Sequence, residues 1–265
     1  MNKRTFYALI ASAGLLLAAC SKDEAPKSAG NSIAQKIEQQ GTLVVGTEGS
    51  YAPFSFHDES GQLTGYDVEV IREVAKRLNV TLKFEETQWD AMFAGLNSQR
   101  FDLIANLVGI TPERQQKYEF STPYIYSGAV IVARADDQRI GKVEDVAGLD
   151  SAQSLTSNFG DLARSLNANI VGVDGLAQSL ALIKQKRADI TINDYLAVLD
   201  YFKQQGHDGL KIMLPASEKL ASGFAFNQGN QDAIAKIDQA LEEMRQDGTL
   251  KRLGEQWFGE DVSVK

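Results

Sequence analysis

Apolar runs of strand length alternate with helical spacings along most of the chain. Leu43-Val44-Val45-Gly46 is unbroken by polar residues, which predicts a buried strand. Val68, Ile71, Val74 or Ala75, and Leu78 then recur at helical spacing, with Glu69, Arg72, Glu73, Lys76 and Arg77 on the opposite face. Thr81 to Phe84 reads as a second strand, Trp89, Met92, Phe93 and Leu96 as one helical face, and Leu103-Ile104-Ala105 as a third strand. Strands and helices alternating at these lengths predict parallel sheets covered by helices. The extended segments Ser127 to Ala133 and Ala221 to Phe226 suit crossovers between two lobes. Amphipathic helices around Gln231 to Asp247 and Thr249 to Trp257 are expected to clasp those lobes.

The pattern repeats once. Gln99-Arg100-Phe101-Asp102-Leu103-Ile104-Ala105-Asn106 aligns with Lys186-Arg187-Ala188-Asp189-Ile190-Thr191-Ile192-Asn193, each after an amphipathic helix. The match is short, and two similar helix-to-strand junctions can converge. It suggests two α/β lobes, each with a polar rim at the carboxyl ends of its strands, where ligands of open α/β sheets bind. The first rim continues into Thr111-Pro112-Glu113-Arg114. Thr111 suits a cap, Pro112 the first helical turn, and Glu113 the positive end of the helix dipole. Arg114 is thereby held at a helix mouth, where a guanidinium fork beside free N–H groups can receive a carboxylate. The plainer alternative is a surface Arg paired with a Glu.

Composition changes the picture at the N-terminus. Lys3 and Arg4 precede an apolar run from Phe6 to Ala18, too short for a membrane span of ~20 residues. Small residues follow, ending in Leu17-Ala18-Ala19-Cys20, the form of an export signal over residues 1–19. Cys20 is the only cysteine, which excludes an intrachain disulfide, and Leu-Ala-Ala-Cys resembles the bacterial lipobox, in which that thiol is acylated. Residues 20–38 read as a flexible tether to a membrane, and the chain beyond it as the folded part. A net charge of −8, more negative once Lys3 and Arg4 are removed, argues against nucleic acid, whose phosphates need clustered Lys and Arg. With 43% hydrophobic residues the remainder is expected to fold around a core.

From Gly41 to about Val262 the chain resembles the type-3 extracellular solute-binding proteins, the amino-acid receptors of ABC importers. The matching pieces are GTEGSYAPFSF at 46–56, GQLTGYDVEV at 61–70, QRFDLIANLVGITPERQQKYEFSTPYIYSG at 99–128 and DGTLKRLGEQWFG at 247–259. The first and last of these, with Gln88-Trp89-Asp90, are most similar to L-cystine receptors. The resemblance implies an α/β, bilobed periplasmic-binding-protein-like fold (type II), two lobes joined by two hinge strands. Residues 39–128 plus 223–265 would form one lobe and 129–222 the other. It implies that Arg114 grips the ligand's α-carboxylate and Asp194 its α-ammonium, Asp194 also suiting the cap of a helix beginning near Tyr195. Tyr51 and Trp89 fall where such receptors stack rings on the ligand, although Trp89 also lies on the Met92/Phe93/Leu96 face and suits the core. Glu48 falls where related receptors carry an acid reaching the distal end of the ligand, and cystine has a second ammonium there. Asn106, Leu107, Gly109 and Thr111 would supply backbone and hydroxyl hydrogen bonds.

One stretch departs from that pattern. At Gly148 to Asn158 the chain is more polar than such receptors usually are, and Thr156 stands where they carry glycine. Ser157 and Asn158 still suit a helix opening whose N–H groups face a carboxylate, but a positive φ at a β-branched Thr156 would be costly. His57 and His207 are isolated, so no metal site is expected. No nucleophile elbow, Walker loop or dinucleotide fingerprint occurs, and neither a cofactor nor catalysis is expected. The expected protein is a monomeric, lipid-anchored receptor in the cell envelope, facing the periplasm or exterior and delivering L-cystine to an ABC permease and its ATPase. Alternatives are a receptor for another polar amino acid (cysteine, glutamine) or an envelope dehydratase on the same fold.

Overall fold

The computed structural model describes residues 32–265; the expected export signal at 1–19, the lipid site at Cys20 and the tether as far as residue 31 lie outside them. In chain order the elements begin with α1 (Ile33–Glu38), β1 (Thr42–Thr47), β2 (Ser50–Tyr51), β3 (Ser55–His57), β4 (Leu63–Thr64) and α2 (Tyr66–Leu78). Next come β5 (Thr81–Glu86), α3 (Trp89–Asn97), β6 (Leu103–Ile104), α4 (Pro112–Gln115), β7 (Tyr118–Phe120) and β8 (Ile125–Ser127). The middle of the chain forms β9 (Ala129–Arg134), β10 (Asp150–Gln153), α5 (Asn158–Ser165), β11 (Asn169–Gly172), α6 (Leu176–Lys184) and β12 (Ile190–Asp194). It ends with α7 (Tyr195–Gln205), β13 (Leu210–Pro215), β14 (Leu220–Ser222), β15 (Ala225–Asn227), α8 (Gln231–Gln246) and α9 (Thr249–Phe258).

Two five-stranded sheets build two lobes with the same internal order. The first runs β5-β1-β6-β15-β7 and the second β11-β10-β12-β9-β13. In each, four strands run the same way and the fourth in order, β15 or β9, runs against them. The purely parallel expectation fails at β9 and β15 for a topological reason. Both are entered directly from a strand crossing between lobes and not through a covering helix, so they run the other way. The crossing strands are β8 and β14, paired antiparallel from Ser127↔Leu220 to Ser222↔Ile125. The expected crossover segments are thus shifted, since Ala129–Arg134 and Ala225–Asn227 belong to the sheets themselves.

The short sequence repeat occupies equivalent places in the two sheets. Gln99 and Lys186 both adopt positive φ, 59° and 60°, as the chain leaves α3 and α6. Asp102 N–H donates to Val44 O while its Oδ2 accepts from Val44 N, and Asp189 makes the same pair of bonds with Asp150. Each Asp therefore extends the ladder at the strand's start, and each strand carries an Asn, 106 or 193, to its carboxyl end.

Two expectations about helices change. The last residues of the expected tether form α1, because Ile33 and Ile37 stack one turn apart and are both buried. Ser32 caps it, and Lys36 pairs with Asp102 at 2.8 Å. The terminal helices pack mainly within the first lobe, α8 on α1, α2 and α9, and α9 on α2, while Trp257 of α9 shares a cavity wall with Leu176 and Tyr201 of the second. Their apolar faces (Ile234, Ile237, Leu241, Met244, Leu250, Leu253) complete the first lobe's core.

Candidate functional site

The polar rims of the two sheets face each other across adjoining cavities between the lobes. Glu48, Tyr51, Trp89, Asn106, Leu107, Ser157 and Asn158 line the first, a cleft of about 480 Å³ including its open mouth. Leu107, Gly109, Thr111, Asn158 and Asp194 line the second. The first is sized for a small molecule and not for a protein partner.

Arg114 stands behind these walls. Thr111 caps α4 through its hydroxyl, which accepts from Arg114 N at 3.3 Å, with Pro112 at the first position as the sequence predicts. The guanidinium Nη1 donates to Gly109 O at 3.1 Å and, across the cleft, to Asn158 Oδ1 at 3.4 Å. Its carbon lies 5.2 Å from the Trp89 ring centroid and 5.3 Å from that of Phe93. Nη2 is buried with no partner, so a strong donor is left unsatisfied on a guanidinium whose Nη1 bonds Asn158, a residue lining both cavities. Burial lowers the Arg114 pKa to about 10, which leaves it charged at neutral pH. A Cβ on Gly109 would sit 2.7 Å from Leu220 Cδ2, so a larger residue there would need that leucine side chain to move.

Asp194 caps α7. Its Oδ1 accepts from Leu196 N at 2.9 Å and Ala197 N at 3.2 Å, and Ser127 lies against the same carboxylate. The residue is 2% exposed, and burial raises its pKa to about 6. Glu48 is held by Asn106, whose Nδ2 donates to Oε2 at 2.5 Å while its Oδ1 accepts from Glu48 N at 2.9 Å. Burial raises the Glu48 pKa to about 7, with the nearby Asp90 charge adding a smaller push in the same direction. These are two buried carboxylates on opposite lobes, each destabilised as an anion until a cation arrives.

The remaining expected residues divide. Tyr51 donates to Asn193 Oδ1 at 2.9 Å, a direct bond between lobes. Trp89 is 8% exposed, meets Phe93 edge-on and lines the first cavity, so one ring serves both core and cleft. The Leu107 N–H is not available to a ligand. It donates to the buried Asp67 carboxylate, which holds Leu107 at a φ of 48°. Asn106 likewise spends its amide on Glu48 and on the Thr47 hydroxyl. Ser157 caps α5 by accepting from Gly160 N, and its hydroxyl donates to Ser154 O. A helix start leaves its first-turn N–H groups without partners inside the helix, and Asn158 and Phe159 at the start of α5 line the cleft. Thr156 does not adopt the positive φ of a glycine; its N–H and hydroxyl bond Asp90 instead.

Several lining residues went unread in the sequence: Asn193, Gln153, Ser154, Phe159, Gly175, Leu176 and Ser179. The repeat alignment pairs Asn193 with Asn106 and was the available signal for it. The start of α6 carries no local mark of a site. Among the described residues no group of His, Cys, Asp and Glu could hold a metal, and no helix is long and apolar enough to cross a membrane.

The family model of the bacterial extracellular solute-binding proteins, family 3, matches residues 43–260. A probable amino-acid ABC transporter-binding protein of Haemophilus influenzae is 58% identical over 231 residues, 87% of this chain and 90% of its own. The L-cystine-binding protein TcyA of Bacillus subtilis is 48% identical over 252 residues, 93% of this chain and 94% of its own. The L-cystine solute receptor of Neisseria gonorrhoeae, solved in an unliganded open conformation, is 54% identical. It covers 89% of this chain and 100% of its own, with a TM-score of 0.60.

Proposed function

The chain belongs to the bacterial extracellular solute-binding proteins, family 3, and on that premise we propose that it binds L-cystine between its lobes and delivers it to an ABC permease and its ATPase. The observation that carries the reading is the unpartnered Arg114 Nη2, buried behind the cleft wall, with the buried Asp194 carboxylate on the opposite lobe. An α-amino acid presents a carboxylate and an ammonium on one carbon, and this pair complements both. Because the two side chains come from different lobes, the full set of charged contacts forms only on closure.

Cystine, and not a simpler amino acid, is supported by Glu48. Its buried carboxylate faces the first cavity, separate from the clamp, and suits the second ammonium of a molecule with two amino-acid ends. The names of the Bacillus and Neisseria relatives point the same way. Uptake calls for micromolar affinity or better, about −8 kcal/mol. In the same reading the chain works as a monomer in the cell envelope, held by acylated Cys20; mass spectrometry finding unmodified Cys20 at the mature N-terminus removes the anchor. Glu48 poised near neutrality is also what a dehydratase would use as a base. Intact ligand recovered after prolonged incubation excludes that.

A thermal-shift screen over the standard amino acids plus L-cystine tests the substrate. Cystine is expected to give the largest stabilisation, about 2.7 kcal/mol at a hundredfold excess over Kd. No shift with cystine beside a large one with glutamine or cysteine would overturn the substrate while keeping the receptor.

A further inference from the structure

Asp90, the second residue of α3, places both carboxylate oxygens on the opposite lobe. Its Oδ2 accepts from Leu155 N at 3.0 Å, and its Oδ1 accepts from Thr156 N at 2.9 Å and from the Thr156 hydroxyl at 2.8 Å. All three donors belong to the turn between β10 and α5. We propose that Asp90 is a positioning residue that latches the lobes together and sets how long the bound amino acid is retained, an inference that rests on the receptor reading above.

Both ends of the latch are held stiffly. Asp90 follows Trp89, whose ring lines the cleft and meets the Arg114 guanidinium. On the other lobe, Arg164 donates to Leu155 O at 2.7 Å while also pairing with Asp161. The Ser157 hydroxyl fastens the same turn through Ser154 O. The next residues along, Ser157 and Asn158, line the cleft. A bond between Asp90 and this turn therefore fixes the distance between the two walls at the ligand. Two of the three donors are backbone N–H groups, so the latch works without reading the ligand side chain. That separates it from the other bonds between lobes: Tyr51 to Asn193 and Arg114 to Asn158 both use cleft residues.

The latch lies at the exposed mouth, where water competes for every bond. Its loss is therefore graded and kinetic. Stopped-flow dissociation of the amino acid that most stabilises the wild type should be about tenfold faster in Asp90→Ala, the scale for losing a few exposed hydrogen bonds. Association is expected to stay within about twofold, since the latch forms after encounter. Thr156→Val, which removes only the hydroxyl bond, should give a smaller acceleration of about two- to threefold, and none in an Asp90→Ala background. The unfolding temperature of the unliganded protein should barely move. A dissociation rate equal to wild type in Asp90→Ala overturns the latch, as do two effects that multiply independently. A wild type that no amino acid stabilises overturns the receptor reading itself, a separate result from either.

Discussion

Burial leaves Glu48 and Asp194 with carboxyl groups that resist ionising, at pKa values of about 7 and about 6, and the nearby Asp67 likewise sits at about 7. A carboxylate whose folded pKa lies above its unfolded value binds its proton more tightly when folded. It therefore favours the fold at low pH and opposes it as pH rises from about 4 through 7. The unliganded protein is expected to unfold at a lower temperature at pH 8 than at pH 5.5. Asp137, lowered to about 2 by Arg139, acts only in more acid solution. A ligand ammonium reverses the effect at the cleft, so binding near pH 6.5 should release protons, read as a calorimetric heat that changes with buffer. Glu48→Gln should remove much of that release and narrow the preference for cystine over amino acids with one ammonium. At Asp194 the cap and the charge can be separated, because Asn caps a helix as well as Asp does. Asp194→Asn is expected to keep the melting temperature while weakening affinity at least tenfold. Asp194→Ala should lose affinity and also about 1 kcal/mol of stability.

The helix openings show which elements a sequence reveals. Thr111-Pro112-Glu113-Arg114 folds as its local chemistry dictates, since cap, proline and acid all act within one turn. Ser157 is legible for the same reason, and Ser157→Ala should cost about 1 kcal/mol in thermal unfolding and weaken ligand binding by loosening the start of α5. The antiparallel β9 and β15 were not legible. Their direction depends on how the chain crosses between lobes, which no window of residues contains. The helix α1 was hidden because two isoleucines one turn apart make too weak a stripe within a polar stretch. The bonds Asp90 makes to Leu155 and Thr156, and the one Tyr51 makes to Asn193, join residues 65, 66 and 142 positions apart, so neither partner carries a local sign of the other.

At the scale of the molecule, the chain is one lobe design used twice, with the site made where two rims meet. The gonococcal receptor is 54% identical yet reaches a TM-score of only 0.60 in its open form. Similar lobes set at different separations produce that combination. The bonds spanning the cleft from Tyr51, Asp90 and Arg114 mark the present conformation as closed. Small-angle scattering should accordingly show a smaller radius of gyration with cystine than without it. The central claim is that Arg114 grips an amino-acid carboxylate inside this closing cleft. Calorimetric titration of L-cystine into the wild type and into Arg114→Met tests it most directly, because methionine keeps the apolar stem beside Trp89 and Phe93. Micromolar or tighter binding by the wild type, with no measurable binding by a variant that melts within a few degrees of it, is the predicted result. Equal affinity in the two proteins would contradict the account.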